Sequence, residues 1–176
     1  MSEENGGAPP VVGIRLADGD GDVIVIHRFL CVVAQSVLLS PIGAEKSMAE
    51  IDRICSEPDY GFALMAMRDD VMVGTIGCIN PAWWYGDDRF VTDRWFFAVP
   101  GARGRGIGGL LLGEAVAMAH ASDAKFVLQG KIRKRKKFFI TDPVLIEPGS
   151  NMDLEKVAEH VLRQRGDGPD RVDADA

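Results

Sequence analysis

Cysteine is scarce in this chain. Cys31, Cys55 and Cys78 are the only three in 176 residues, an odd number at spacings that fit neither a disulfide framework nor a zinc site. Both are excluded as organising features, and the three thiols are expected to be small core residues. Long apolar runs are missing too: none approaches the roughly 20 residues that a membrane span requires. The opening MSEENGGAPP is acidic and polar where a secretory leader is basic and then apolar, so a cytoplasmic location is expected. Tyrosine is limited to Tyr60 and Tyr85, with none beyond position 85. The three histidines, His27, His120 and His160, fall in segments of helical pattern and are read as structural. Positive charge is in the minority, with 20 Lys and Arg against 26 Asp and Glu and a net charge of −6, which argues against bulk nucleic-acid binding.

What is present is ordinary for one globular domain. The chain is 47% hydrophobic and 26% charged, and a chain this long buries on the order of 70% of its unfolded surface. The domain is expected over residues 11–165, between disordered tails at 1–10 and at 166–176, the latter acidic. VVGIRLA (11–17) reads as a strand. The aspartates of DGDGD suit a helix start near Asp22, and VIVIHRFLCVVAQSVLL is read as a buried helix that stops before Pro41. AEKSMAEIDRIC (44–55) has amphipathic helical spacing. Two apolar runs, 61–70 and 71–80, meet at RDD as an antiparallel hairpin. RFVTDRWFFAV (89–99) is a third long strand, LLLGEAVAMAHASDA a packed helix to about Asp123, and KFVLQGKI (125–132) a further strand. A short RKRKKFF leads to a last strand in PVLIEP and a terminal helix over 152–165. The order predicts an α/β fold: a mixed, mostly antiparallel central sheet of about six strands with helices on both faces.

Between the third long strand and its helix lies VPGARGRGIGGLLL, residues 99–112. Gly104, Gly106, Gly108 and Gly109 lack the Cβ atoms that would hold a ligand away from the main chain. They sit where a helix begins, so orphan N–H groups and the helix dipole favour an anion there, and Arg103 and Arg105 add full charges. A pyrophosphate suits such a place. Gly104-x-Gly106-x-x-Gly109 matches the dinucleotide fingerprint formally, but that fold needs an acidic residue about 20 positions on, and the next strand ends in Gly130 and Lys131. A P-loop is excluded because Gly-Lys-Ser/Thr is absent. The bland alternative is a tight strand-to-helix turn.

Arg103-x-x-Gly106-x-Gly108, after a strand closed by Pro100 and opening a helix, resembles the Arg/Gln-x-x-Gly-x-Gly/Ala signature of the GCN5-related N-acetyltransferase (GNAT) family. GIRLADGDGDVIVI is similar to the family's opening strand and helix, and the element order over about 12–130 is similar as well. The resemblance implies acetyl-coenzyme A as co-substrate and no metal. Its pyrophosphate would rest on amides of Arg103, Gly104, Arg105, Gly106, Ile107, Gly108 and Gly109, and its pantetheine arm on main-chain atoms of Phe97, Ala98 and Val99. It also implies transfer of an acetyl group to a primary amine of a small molecule or of a protein or peptide. Members often pair, so a homodimer is a further expectation. Many relatives carry a carboxylate base on the fourth strand, which here points to Asp93; the plain alternative is a solvent-facing aspartate paired with Arg94 or Arg89. The family commonly has a tyrosine acid on a helix after its fifth strand, and this chain departs from that pattern.

Several features stay open at this level. Trp83, Trp84 and Tyr85, beside Asp87 and Asp88, are candidates for an acceptor pocket through cation–π contact and charge attraction. They suit a packed aromatic loop equally. KIRKRKK (131–137) carries six positive charges in seven residues: a solvated run, a contact for the coenzyme's 3′-phosphate, or a nucleic-acid patch. A competing reading of the whole chain is a non-catalytic protein of the same fold, used in interaction or assembly, as in a phage or bacterial particle.

Overall fold

A computed structural model describes residues 11–34, 42–81, 86–99, 106–129, 131–134, 137–140, 144–147 and 151–162. The expected tails, 1–10 and 166–176, lie outside these residues. The chain runs β1 (Gly13–Leu16), α1 (Gly19–Ala34), α2 (Ala44–Ser56), β2 (Gly61–Arg68), β3 (Val71–Ile79), β4 (Phe90–Ala98), α3 (Ile107–Ala121), β5 (Lys125–Leu128), β6 (Lys131–Lys134), β7 (Lys137–Ile140), β8 (Val144–Ile146) and α4 (Leu154–Leu162). Six strands form one sheet in the order β1-β2-β3-β4-β5-β8, and β6 and β7 form a separate two-stranded ribbon. Within the six-stranded sheet β4 and β5 are parallel and the other neighbours antiparallel. This is the mixed sheet that the sequence pattern predicts.

Local chemistry accounts for most of these elements. Val23, Ile26, Leu30 and Val33 recur three and four apart along α1 and are all buried, so a segment rich in β-branched residues is helical because one face of it packs in the core. The β2–β3 hairpin turns on Asp69 and Asp70, both with positive φ (48° and 61°), as a two-residue turn matched to strand twist requires. Two cores cover the two faces. Phe96, Phe126, Leu111, Leu112 and Ile76 are packed together with α3 on one face. Met65, Trp95, Phe97, Ile26 and Ile51 are packed together on the other, under α1 and α2.

The structure corrects one boundary. The strand expected over 125–132 ends at Leu128, and the basic segment after it pairs as a ribbon, Lys131 opposite Ile140 and Arg133 opposite Phe138. Gln129, Gly130 and Lys131 interrupt the apolar alternation of KFVL, and Phe138, Phe139 and Ile140 supply a second β-forming run.

Candidate functional site

The site begins where two strands part. β4 and β5 pair over Phe90–Lys125, Val91–Phe126 and Thr92–Val127, and β4 then continues through Ala98. The ladder of β4 with β3 carries an irregularity at the same level: Cys78 lies opposite Asp93 and Gly77 opposite Trp95, which leaves Arg94 as the extra residue of a β-bulge. A bulge changes which face each side chain meets. Thr92 lies opposite Ile79, which packs in the core under α1 and α2. Asp93 lies opposite Cys78, which belongs to the α3 core. Trp95, two residues on, is back on the α1–α2 face. There its indole lies against Gly77, where a Cβ would stand 2.3 Å from the ring, and its Nε1 donates to Thr75 Oγ1 at 3.3 Å. Arg94 reaches α2, with Nε 3.0 Å from Glu50 Oε1, and Tyr60 donates its hydroxyl to the same oxygen at 3.1 Å.

Asp93 occupies the apex of this fork. It is 5% exposed, and its Oδ1 accepts the Gln129 backbone N–H at 2.5 Å, which fixes where β5 departs. It is therefore not the solvent-facing aspartate of the plain alternative. Cys78, directly opposite, has its thiol pushed well up, first by burial and then by the Asp93 charge.

The main chain along the fork is set by pairing with β3. Val99 donates its N–H to Val73 O at 2.9 Å, and backbone groups alternate along a strand. Phe97 and Val99 therefore turn their main chain toward β3, and Ala98 and Phe96 turn theirs toward the fork. Of the three positions that the resemblance implies for a pantetheine arm, Ala98 turns its main chain to the fork, and Phe97 and Val99 turn theirs to β3.

At the far end of β4 the chain opens α3. Gly106 is its N-cap, in the left-handed region at φ 70°, with no side-chain cap among the described residues and no acidic residue in the first turn. Leu110 N–H donates to Gly106 O at 2.9 Å as the first helical bond, so the amides of Gly106, Ile107, Gly108 and Gly109 have no acceptor within the helix. Ile107 is itself a core residue, 2% exposed. At Gly109 the packing is close as well: a Cβ there would lie 3.1 Å from both Cα and Cβ of Glu155, on α4. Glu155 also overlooks Gly106, its Oε1 3.5 Å from where a Cβ would be. Arg103, Gly104 and Arg105 lie outside the described residues, as do Trp83, Trp84 and Tyr85.

The remaining candidates are placed elsewhere. Asp87 and Asp88 are exposed at the opposite end of β4; Lys125 Nζ is 3.3 Å from Asp88 Oδ2. His27 and His120 contact Cys31 Sγ (3.6 Å) and the Ile146 carbonyl (3.3 Å) respectively. Among the described residues no group of His, Cys, Asp and Glu is arranged to hold a metal, and no helix is long and apolar enough to cross a membrane. Sequence reasoning missed Glu50, Tyr60 and Glu155, whose roles arise from contacts between distant segments.

The architecture is thus a layered α/β domain whose central sheet forks beside an uncapped helix N-terminus. The profile of the acetyltransferase (GNAT) family matches residues 35–132, 98 of the 176. Solved structures share the fold. A GNAT family acetyltransferase from Brucella melitensis in complex with acetyl-CoA is 20% identical with a TM-score of 0.61, over 82% of this chain and 92% of its own. The aminoglycoside N-acetyltransferase AAC(6')-Iy in complex with CoA is 13% identical with a TM-score of 0.58, over 91% and 90%. A ribosomal-protein-alanine N-acetyltransferase from Brucella melitensis biovar Abortus 2308 is 21% identical with a TM-score of 0.53, over 72% and 82%. No curated protein matches the chain in sequence. The chain belongs to the GNAT acetyltransferase family.

Proposed function

We propose that the protein is an acetyl-CoA-dependent N-acetyltransferase acting on a primary amine of a small molecule or peptide. The observation that carries this reading is the fork: β5 pairs with β4 through Thr92 while β4 continues to Ala98, and α3 opens at Gly106 with no side-chain cap among the described residues. An acyl-pantetheine suits such an edge by main-chain pairing at Ala98, and a diphosphate suits the amides of Gly106–Gly109. That two structural relatives hold CoA or acetyl-CoA supports the same assignment.

The acceptor nitrogen attacks the thioester carbonyl carbon; the C–N bond forms, the C–S bond breaks, and the amine gives up a proton while the thiolate gains one. An amine with pKa near 10.4 costs about 4–5 kcal/mol to deprotonate at pH 7, a cost that proximity, at up to roughly 7–11 kcal/mol, is large enough to cover. Asp93, at the fork, is the candidate base. Solvent is the proton source for a thiolate with pKa near 8.5.

Calorimetric titration with acetyl-CoA should give measurable heat, and thiol release should appear across a panel of polyamines, aminoglycosides, amino acids and peptide N-termini. Asp93→Asn keeps an acceptor for the Gln129 N–H and should retain the fold, yet turnover should fall by about 10²-fold or more. Absence of acetyl-CoA binding would sink the reading. One feature favours a second reading, a non-catalytic interaction or assembly protein: the ribbon β6–β7 follows β5 where the family resemblance implies a helix. That reading gains if acetyl-CoA binds and no amine releases thiol.

A further inference from the structure

Arg94 is the extra residue of the β4 bulge and the one exposed residue of that strand. Next to it, Trp95 is held on the α1–α2 face by packing against Gly77 and by its hydrogen bond to the Thr75 hydroxyl. Strict alternation counted back from Trp95 would send Arg94 to the α3 face and Asp93 to the α1–α2 face. Neither happens. Arg94 lies on the same side as Trp95, with Nε 3.0 Å from Glu50 Oε1 on α2, and Asp93, opposite Cys78 of the α3 core, is left on the other side. A bulge sets two residues against one and so lets the alternation slip by one place.

The acceptor that receives Arg94 is itself held. The same Glu50 oxygen accepts the Tyr60 hydroxyl at 3.1 Å. Tyr60 in turn donates its N–H to Glu57 O at 2.9 Å and accepts the Asn80 N–H at 2.8 Å, just beyond the end of β3. Its ring lies under the Arg53 guanidinium, 3.7 Å from Cζ to the ring centroid, and Arg53 Nε donates to Glu57 Oε2 at 3.0 Å. A lone exposed ion pair is a weak tether, and the Arg94 side chain is 53% exposed. Glu50 is less so, at 27%, and its oxygen is shared by two donors from different elements. The contacts run from the end of β3 through Tyr60 and Glu50 to the bulge. They end one residue from Asp93.

Resting on the acetyltransferase reading, we propose that Glu50, acting through Arg94, holds β4 in the bulged register that turns Asp93 to the fork. Glu50 is a positioning residue for the candidate base.

Acetyl-CoA binding and thiol release by the wild type are measured first on the full chain, which tests the acetyltransferase reading by itself. The position of Asp93 is then read without substrate, from the Gln129 amide that donates to its Oδ1. In Glu50→Ala that amide should lose its hydrogen-bonded chemical shift and exchange with solvent about tenfold faster, while the amides of the β2–β3 ladder keep their rates. Arg94→Ala should do the same. Glu50→Gln keeps an acceptor oxygen for Arg94 and Tyr60 and should stay near wild type. In turnover, Glu50→Ala should lower kcat about tenfold at unchanged KM for acetyl-CoA, and on an Asp93→Asn background it should cost nothing further. An unmoved Gln129 amide in Glu50→Ala, a Gln variant as impaired as the Ala variant, or an equal loss on the Asp93→Asn background would each overturn the proposal. A wild type that releases no thiol ends the acetyltransferase reading, and the amide alone then decides whether Glu50 places Asp93.

Discussion

α1 and α3 start alike and are completed differently. Each opens at a glycine with positive φ, Gly19 at 73° and Gly106 at 70°. α1 then supplies its own anions: Asp20 and Asp22 lie in its first turn. Asp22 receives Arg15 through both Nη1 (2.5 Å) and Nη2 (2.6 Å), and it accepts the Asp18 N–H at 2.8 Å. α3 has no acid in its first turn, and the nearby carboxylate, Glu155, comes from α4. The same helix-terminus electrostatics is thus satisfied from within at α1 and left for another group at α3. A helix that seals its own N-terminus serves the fold, whereas one left unsealed at the end of a fork is able to serve a ligand.

The contrast breaks most severely at Gly109. Valine there would place its Cβ 3.1 Å from the Glu155 backbone, so α4 must shift; a stability loss of about 2–3 kcal/mol is expected in urea unfolding. Next comes Asp22→Ala, which removes the acid that seals α1 and should cost about 1–2 kcal/mol while acetyl-CoA affinity stays as it was. The pH dependence follows from the Asp22 carboxyl being held below its ordinary range, chiefly by the Arg15 hydrogen bonds. A depressed folded value means the contribution is fully present above the unfolded value of about 3.9 and disappears as pH falls through the folded one. The melting-temperature gap between wild type and Asp22→Asn should therefore be constant above about pH 5 and close in the acid range below about pH 4.

Which parts of this arrangement were legible in the sequence follows from the range of the forces involved. α3 and its glycines were legible because the helix start is written locally, in Gly106-x-Gly108-Gly109 and the Leu- and Ala-rich run after it. The six-stranded sheet followed from strand patterns bounded by proline and RDD. The side of the sheet that Asp93 faces was not legible. Strict alternation puts Asp93 and Trp95 on one face, and the bulge at Arg94, which exists only in the pairing of β4 with β3, puts them on opposite faces. Thr92 reads as an ordinary β-branched strand residue, and only the fold leaves its buried hydroxyl without a partner among the described residues. Glu155 is 46 positions from Gly109 in the sequence, so no local pattern announces that α4 lies over α3. The β6–β7 ribbon was hidden by its own charge, since six cations interrupt the apolar alternation by which strands are recognised.

Giving α3 an acid of its own makes it resemble α1. Leu110 is 49% exposed in the first turn of α3, so Leu110→Glu adds charge at little packing cost. It should leave the melting temperature unchanged or slightly raised and weaken acetyl-CoA about fivefold, a gap that narrows with added salt. If affinity is unchanged, the diphosphate is held elsewhere and the difference between the two helix starts carries no function.

The finest test removes the acid that α3 shares with α4. Glu155 is exposed, so most of its field is screened by water, and its effect on an anion at Gly106–Gly109 must be small. Glu155→Gln keeps the side chain's size, so the close packing of α4 on Gly109 survives and only the charge is lost. Acetyl-CoA affinity should rise about twofold at low ionic strength, and the gain should vanish at about 0.5 M salt, where charges more than a few ångströms apart are screened. A salt-independent gain would mean that the substitution moved α4, and the effect would then belong to packing. An affinity that falls would place Glu155 among the groups that bind acetyl-CoA, and the carboxylate would then complete the α3 site instead of opposing its ligand.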